Sequence, residues 1–269
     1  MISIVVDLIK NKFLILELAK RDILSSYRGT IIGVAWTLIN SLIMLTIYTF
    51  LFSFVFKTRW GGKELDEPGS IVCFSMVLFS GLIIYNFFIE ILTRAPSIVV
   101  GNVNFVKKLV FPLHVLAYVV VSRALFNFCI NFFVLIVGNL IVSGNIQITS
   151  LWLPLILLPL IFYSLGVVWL VSSISVYLRD LTYIIQSLTI CLLFLSPVFF
   201  PVTAVPEKIR FLIYLNPLTT FIEQFRTIFI YGKNIQGYGL LIQSVLGFTF
   251  MCFGYLVFSK LRKGFADVL

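Results

Sequence analysis

The side chains that could do chemistry in this 269-residue chain are few and unusually placed. One histidine, His114, and eleven carboxylates leave little from which to build an acid–base pair. There is no G-x-x-x-x-G-K-[ST] phosphate loop, no H-E-x-x-H and no nucleophile elbow. Cys73, Cys129, Cys191 and Cys252 stand in separate apolar stretches without metal-ligand spacing and read as small buried residues. Neither catalysis nor a metal or cofactor of its own is expected of this chain. What it does offer is rows of amides, hydroxyls and aromatic rings at helical spacing. Trp36, Thr37, Asn40, Ser41, Met44 and Tyr48, with Gly29, Thr30 and Gly33 before them, fall in one arc of about 140° at 100° per residue. Thr182, Gln186, Thr189, Leu193 and Ser196 form a second row. Asn86, Glu90 and Arg94 recur at steps of four, as do Arg123, Asn127 and Asn131. Such groups exchange hydrogen bonds with hydroxyls, and aromatic rings stack on flat apolar faces. The chemistry on offer is binding.

The elements that carry these rows are six long apolar runs, near residues 31–56, 70–93, 110–142, 151–178, 181–200 and 234–259. A helix needs roughly 20 apolar residues to cross about 30 Å of hydrocarbon. Residues 124–178 contain no Asp, Glu, Lys or Arg, so no solvated surface could be made from them. Only 12% of the chain is charged, about half of what soluble domains carry. The fold class is therefore an all-α polytopic membrane protein with six transmembrane helices. Lipid-facing helices ask for aliphatics alone, so the polar rows face protein or a water-filled path.

Residues 1–29 read as a separate N-terminal element. Its charges exclude a cleavable signal peptide. Leu14, Leu18, Arg21, Ser25 and Arg28 recur at helical spacing, as in an amphipathic helix lying in the headgroup region. Residues 30–269 form the six-span transmembrane domain. With the N-terminus inside, the inner segments hold twelve Lys and Arg and the outer ones seven, Arg226 among the latter; this predicts both termini cytoplasmic. The net charge of +9 follows from the same clustering and does not call for nucleic acid. Residues 201–233 are too apolar for a plain outer loop. Pro206 and Pro217 can each sit in a first helical turn, and Asn216 can cap the second helix. Two short re-entrant helices over 205–231 are expected before the last span, held where protein surrounds them. Within the spans, Glu90 and Arg123 lie at similar depth and are expected to pair across helices, or Glu90 with Arg94 along its own.

At this point the residues resemble a family. The stretch from Lys20 to Trp36 (KRDILSSYRGTIIGVAW) is similar to the entry of permease subunits in type-2 ABC transporters that export polysaccharides: O-antigen, capsule and teichoic acid. The elbow Asn102–Pro112 (NVNFVKKLVFP) resembles their second-to-third-span connection, and Tyr177-Leu178-Arg179-Asp180 their fourth-to-fifth turn. Asn216-Pro217-Leu218 stands where that family has its outer re-entrant helices, and Phe265-Ala266-Asp267 resembles its tail. His114, after Phe111-Pro112-Leu113, departs from the polar or acidic residue frequent there.

The resemblance implies a homodimer in the bacterial inner membrane, driven by two separate cytoplasmic ATPase subunits that bind the ATP and magnesium. It implies a lipid-linked polysaccharide as cargo, with O-antigen preferred, moving through a channel at the dimer interface. Trp36, Asn40, Tyr48, Gln186 and Thr189 would line that path. Tyr27 and Arg28 would sit on the gating interface helix. Arg21, Asn104, Lys107 and Lys108 would couple to the ATPase. A drug or small-lipid exporter of the same architecture is the alternative; its path should be mainly aliphatic.

Overall fold

A computed structural model describes residues 10–51, 68–107, 111–144, 147–234 and 237–269. Among these, all regular structure is helical. Lys108 and the loop charges from Lys57 to Glu67 lie outside the described residues. In chain order the α-helices are α1 (Lys12–Ser26), α2 (Ala35–Phe50), α3 (Pro68–Val100), α4 (Val103–Val106), α5 (Val115–Ser143), α6 (Leu153–Tyr177), α7 (Leu181–Leu195), α8 (Glu207–Leu215), α9 (Pro217–Phe229), α10 (Gly237–Leu261) and α11 (Phe265–Val268). Four stretches are long and apolar enough to cross a membrane: Phe74–Val100, Val115–Ile141, Ile148–Tyr177 and Gly237–Val268. The helices α2 and α7 are apolar but have 16 and 15 residues. At 1.5 Å per residue each covers about 22–24 Å, less than the hydrocarbon core.

The expected first span is thus shorter at its start than its composition suggests. Gly29 and Gly33 have φ of 88° and 63°, a backbone that L side chains resist. They bracket a turn in which the Thr30 hydroxyl donates to Tyr27 O and accepts from the Gly33 N–H. The chain therefore leaves α1, turns, and starts α2 only at Ala35, so Gly29, Thr30 and Gly33 are not on the helix that carries Trp36.

The central element is α3, with 78% of its membrane-length window buried within this one chain. Against it pack α2, α5, α6, α7 and α9. By contrast α5 and α10 have 22% of theirs buried, so most of their surface is left for lipid or a partner. A ladder of rings joins α5 to α9: Phe132 meets Phe225 and Phe229 edge-on at 6.0 and 5.3 Å, and Phe128 meets Phe225 at 6.3 Å.

The most extensive pairing is α6 with α10. A methyl group at Gly247 would stand 2.7 Å from Pro159 O, and one at Gly166 2.7 Å from Phe250 O; one at Gly254 would collide with the Gly166 carbonyl. Small residues let helix backbones touch where apolar lipid gives no hydrophobic drive to associate. Gly254→Leu is expected to force the backbones apart at a cost of about 3 kcal/mol, while Val245→Leu on the exposed side of α10 costs nothing measurable. Thermal unfolding of the purified protein checks this; equal midpoints for the two variants would refute the seam.

Candidate functional site

Helix α1 does not merely float beside the spans. Ile15 and Ala19 are its buried residues, and Asp22 and Ser26 continue that face at helical spacing. This face is one residue removed from the expected Leu14–Leu18–Arg21–Ser25–Arg28 stripe, and Arg21 and Arg28 are exposed. The reason is that Asp22 points inward, where charged partners wait. Arg94 Nη1 donates to Asp22 Oδ2 at 2.8 Å. Arg123 Nη1 donates to the same oxygen and to Asp22 O, both at 3.2 Å, and to the Ser26 hydroxyl. Arg123 Nε donates to Glu90 Oε1 at 3.3 Å. Glu90 therefore pairs with Arg123 across helices; Arg94, the alternative along α3, is turned to Asp22 instead. Two carboxylates and two guanidinium groups balance, which makes their shared burial tolerable.

From this cluster a chain of amides climbs along α5. Asn127 Nδ2 donates to both Glu90 oxygens at 2.9 and 2.8 Å. Asn131 Nδ2 donates to Asn127 O at 2.8 Å, and its own Oδ1 accepts from the Ser41 hydroxyl of α2 at 2.7 Å. The spacing of four along α3 and α5 places these residues on facing sides, so one continuous polar ladder runs from α1 to α2.

Beside this ladder lies an open cleft of about 360 Å³ between α2, α3 and α5. Trp36, Asn40 and Tyr48 line it from α2, together with Thr37, Ser41 and Met44. Tyr27 closes one end, its hydroxyl bonded to that of Thr37. Asn86 and Glu90 line it from α3, and Asn127 and Asn131 from α5. Trp36 and Asn40 are exposed. The cleft thus gathers three of the polar rows, with ring faces and amides displayed together, an arrangement that can bind a hydroxylated ligand through stacking and hydrogen bonds.

The fourth row is not part of that cleft. Gln186 and Thr189 sit on α7; Gln186 is exposed, Thr189 is half-buried, and Thr189 O accepts from the Tyr85 hydroxyl of α3 at 2.8 Å. Ser196, at the end of the same row, is buried and accepts from Asn216 Nδ2 at 2.8 Å. Here the polar row divides: Gln186 is open, and the last member, Ser196, locks the hairpin of α8 and α9. In that hairpin Asn216 Oδ1 accepts from the Leu218 N–H at 3.0 Å, the helix cap expected from Asn216-Pro217.

The structure places one group where sequence reasoning did not. Arg226, taken as an outer-loop charge, is fully buried. Its Nε donates to Val77 O at 3.1 Å, Nη1 to Pro197 O at 2.6 Å and Nη2 to Val198 O at 2.9 Å. Glu223 Oε1 lies 3.3 Å from Nη1. This one side chain ties α9 to α3 and to the segment after α7. A signal existed: a lone arginine among Phe221, Ile222, Phe225, Ile228 and Phe229 is a charge on an apolar face.

On the opposite side, Asn104 of α4 and Lys107 are exposed. The rings of Phe105 and Phe111 stack at 4.3 Å and close the elbow. His114 is buried, with its carbonyl accepting from Trp169 Nε1 at 3.1 Å. Tyr177 and the tail meet: its hydroxyl donates to Leu261 O at 2.8 Å and its ring lies against Phe265, which is fully buried.

Two Klebsiella pneumoniae proteins named O-antigen export system permease protein RfbA are each 24% identical over 257 residues, covering 95% of this chain and 95% of theirs. A Myxococcus xanthus protein of the same name is 22% identical over 269 residues, 99% of each. The ABC-2 type transporter family matches residues 14–230, from α1 through α9. With the multi-pass apolar helices already described, the chain belongs to the ABC-2 type transporter family and is the membrane permease of a type-2 ABC exporter.

Proposed function

We propose that this permease moves a lipid-linked polysaccharide, O-antigen before capsule or teichoic acid, across the bacterial inner membrane through a channel between two copies of the chain. The observation that carries this reading is the cleft beside α2, where Trp36, Tyr48 and Tyr27 stand among Asn40, Asn86, Asn127 and Asn131. A drug or small-lipid path would be lined by aliphatics. The names and near-complete coverage of the relatives support the same cargo class. In this reading α2 and α7 complete six spans, α8 and α9 are the re-entrant outer helices, and both termini are cytoplasmic. Gln186, exposed, and Thr189, half-buried, form the facing wall of the path in the dimer from α7. Two partner ATPase subunits bind ATP and magnesium. They push on α1 and on the elbow through Arg21, Asn104, Lys107 and Lys108, and Tyr27 and Arg28 pass that motion to α2.

Trp36→Ala and Tyr48→Ala are expected to lower export of the glycan to the cell surface roughly tenfold, about what losing one stacked ring removes from binding. Protein amount in the membrane and dimer formation should stay at wild-type levels. Wild-type export by both variants would overturn the assignment of the path.

A further inference from the structure

A second groove lies away from α2 and α7, between α6, α9 and α10, with a volume of about 640 Å³. Its size is that of a small-molecule site. One part of its wall is apolar: Leu246 and Phe250 on α10, one helical turn apart, and Tyr163 on α6. Another part is polar. Glu223 and Gln224 line it from α9, and Gln243 from α10. The amide oxygens of Gln224 and Gln243 are buried and have no hydrogen-bond partner among the described residues. The Gln224 amide nitrogen lies beside Gly239 in the first turn of α10, where a Cβ would be 3.6 Å away. Gln243 is one turn further along, and Phe250 about 10 Å beyond Gln243 at 1.5 Å per residue. The groove is therefore amphipathic along α10, polar at the helix start and apolar further in.

We infer that this groove is a binding site for a membrane phospholipid with a primary-amine headgroup. Two unpaired amide oxygens and a carboxylate call for a cationic group with several N–H donors, which an ammonium supplies. The amide NH₂ groups of the same glutamines can donate to the phosphate. The acyl chain runs past Leu246 and Phe250. No basic side chain among the described residues lines the groove; Glu223 lines it with its Oε1 3.3 Å from Arg226 Nη1, so an anionic headgroup finds no cation of its own there. A trimethylated headgroup carries no N–H and leaves both amide oxygens unpaired, which is costly in an apolar setting. The occupant comes from the surrounding bilayer, because the groove is on the membrane-exposed surface: Leu246 is 61% exposed. The site is independent of the cargo, since it shares no lining residue with the cleft beside α2.

Native mass spectrometry of the purified permease tests this, with phosphatidylethanolamine and phosphatidylcholine of identical acyl chains supplied in equal amounts. The wild type should retain the ethanolamine lipid roughly fivefold better, the effect of about one good hydrogen bond. Gln224→Leu/Gln243→Leu should bring the ratio close to one without lowering the thermal-unfolding midpoint. If that variant does not fold, the wild type still decides: an ethanolamine lipid with a photoreactive acyl chain should label α10 between Leu246 and Phe250. Equal retention of the two lipids by the wild type, a preference for phosphatidylglycerol, or labelling confined to other helices would each overturn the proposal.

Discussion

Arg226→Leu is expected to be the most damaging single substitution in the α8–α9 region, lowering stability by about 3–5 kcal/mol. The guanidinium is fully buried and supplies donors to three backbone carbonyls, those of Val77, Pro197 and Val198. Leucine fills part of the volume but leaves all three acceptors dry, and each unsatisfied polar group carries its own desolvation cost of about 1–3 kcal/mol. Arg226→Lys should recover only part of the loss, because one ammonium cannot fork toward carbonyls on two different segments. The same site makes a second expectation. A Cβ on Gly81 would stand 2.6 Å from Arg226 Nη2, so Gly81→Ala should push the guanidinium off its carbonyls. Denaturation of the purified protein, followed by helix content, reads all three variants. A Leu variant as stable as wild type would show that the carbonyls find other donors.

Asp22→Ala is expected to release α1 from the spans. Asp22 is the shared acceptor of Arg94 and Arg123, and without it two guanidinium groups are left with the single carboxylate of Glu90. The side chains are 15–32% exposed, so partial screening brings the loss to about 2 kcal/mol, below that of a fully buried pair. A factor of ten in population is 1.4 kcal/mol, so α1 should open at least roughly tenfold more often. Limited trypsin digestion reads this directly, since Lys20, Arg21 and Arg28 are exposed bonds on and just after that helix. Arg94→Ala should add little in the Asp22→Ala background, as expected of two residues in one network. Additive effects would mean that the two side chains act separately.

Four of the six expected spans were legible in the sequence as membrane-length helices, because hydrocarbon imposes both length and composition on them. Helix ends were less legible, because apolar content continues through turns. Ile31 and Ile32 look like span residues, yet positive φ at Gly29 and Gly33 keeps them out of α2. The polar rows on α2, α3 and α5 were visible as periodicity, and their convergence on one cleft follows from amides seeking partners in an apolar bundle. The row on α7 gave the same pattern, but a row does not say which neighbour it meets: Ser196 meets Asn216, while Gln186 stays open. The Glu90–Arg123 contact was suggested by equal depth. Asp22 was hidden, because a charge on a basic amphipathic helix is ordinarily taken to face water. Arg226 was hidden for a different reason: re-entrant helices were expected around it, but which of their residues is buried depends on contacts distant in sequence.

The seam between α6 and α10 also bears on how this protein can diverge. At Gly166, Gly247 and Gly254 even one added methyl group meets backbone, and backbone, unlike a side chain, cannot rotate away. On the other side of α10, Leu241, Val245, Leu246, Phe253 and Leu256 are exposed, where one apolar residue serves as well as another. The circumference of α10 is therefore split between an arc of near-zero mutational tolerance and an arc that is almost free to drift. Distant relatives could differ at nearly every outward position of that helix and still keep its axis within a fraction of an ångström of α6.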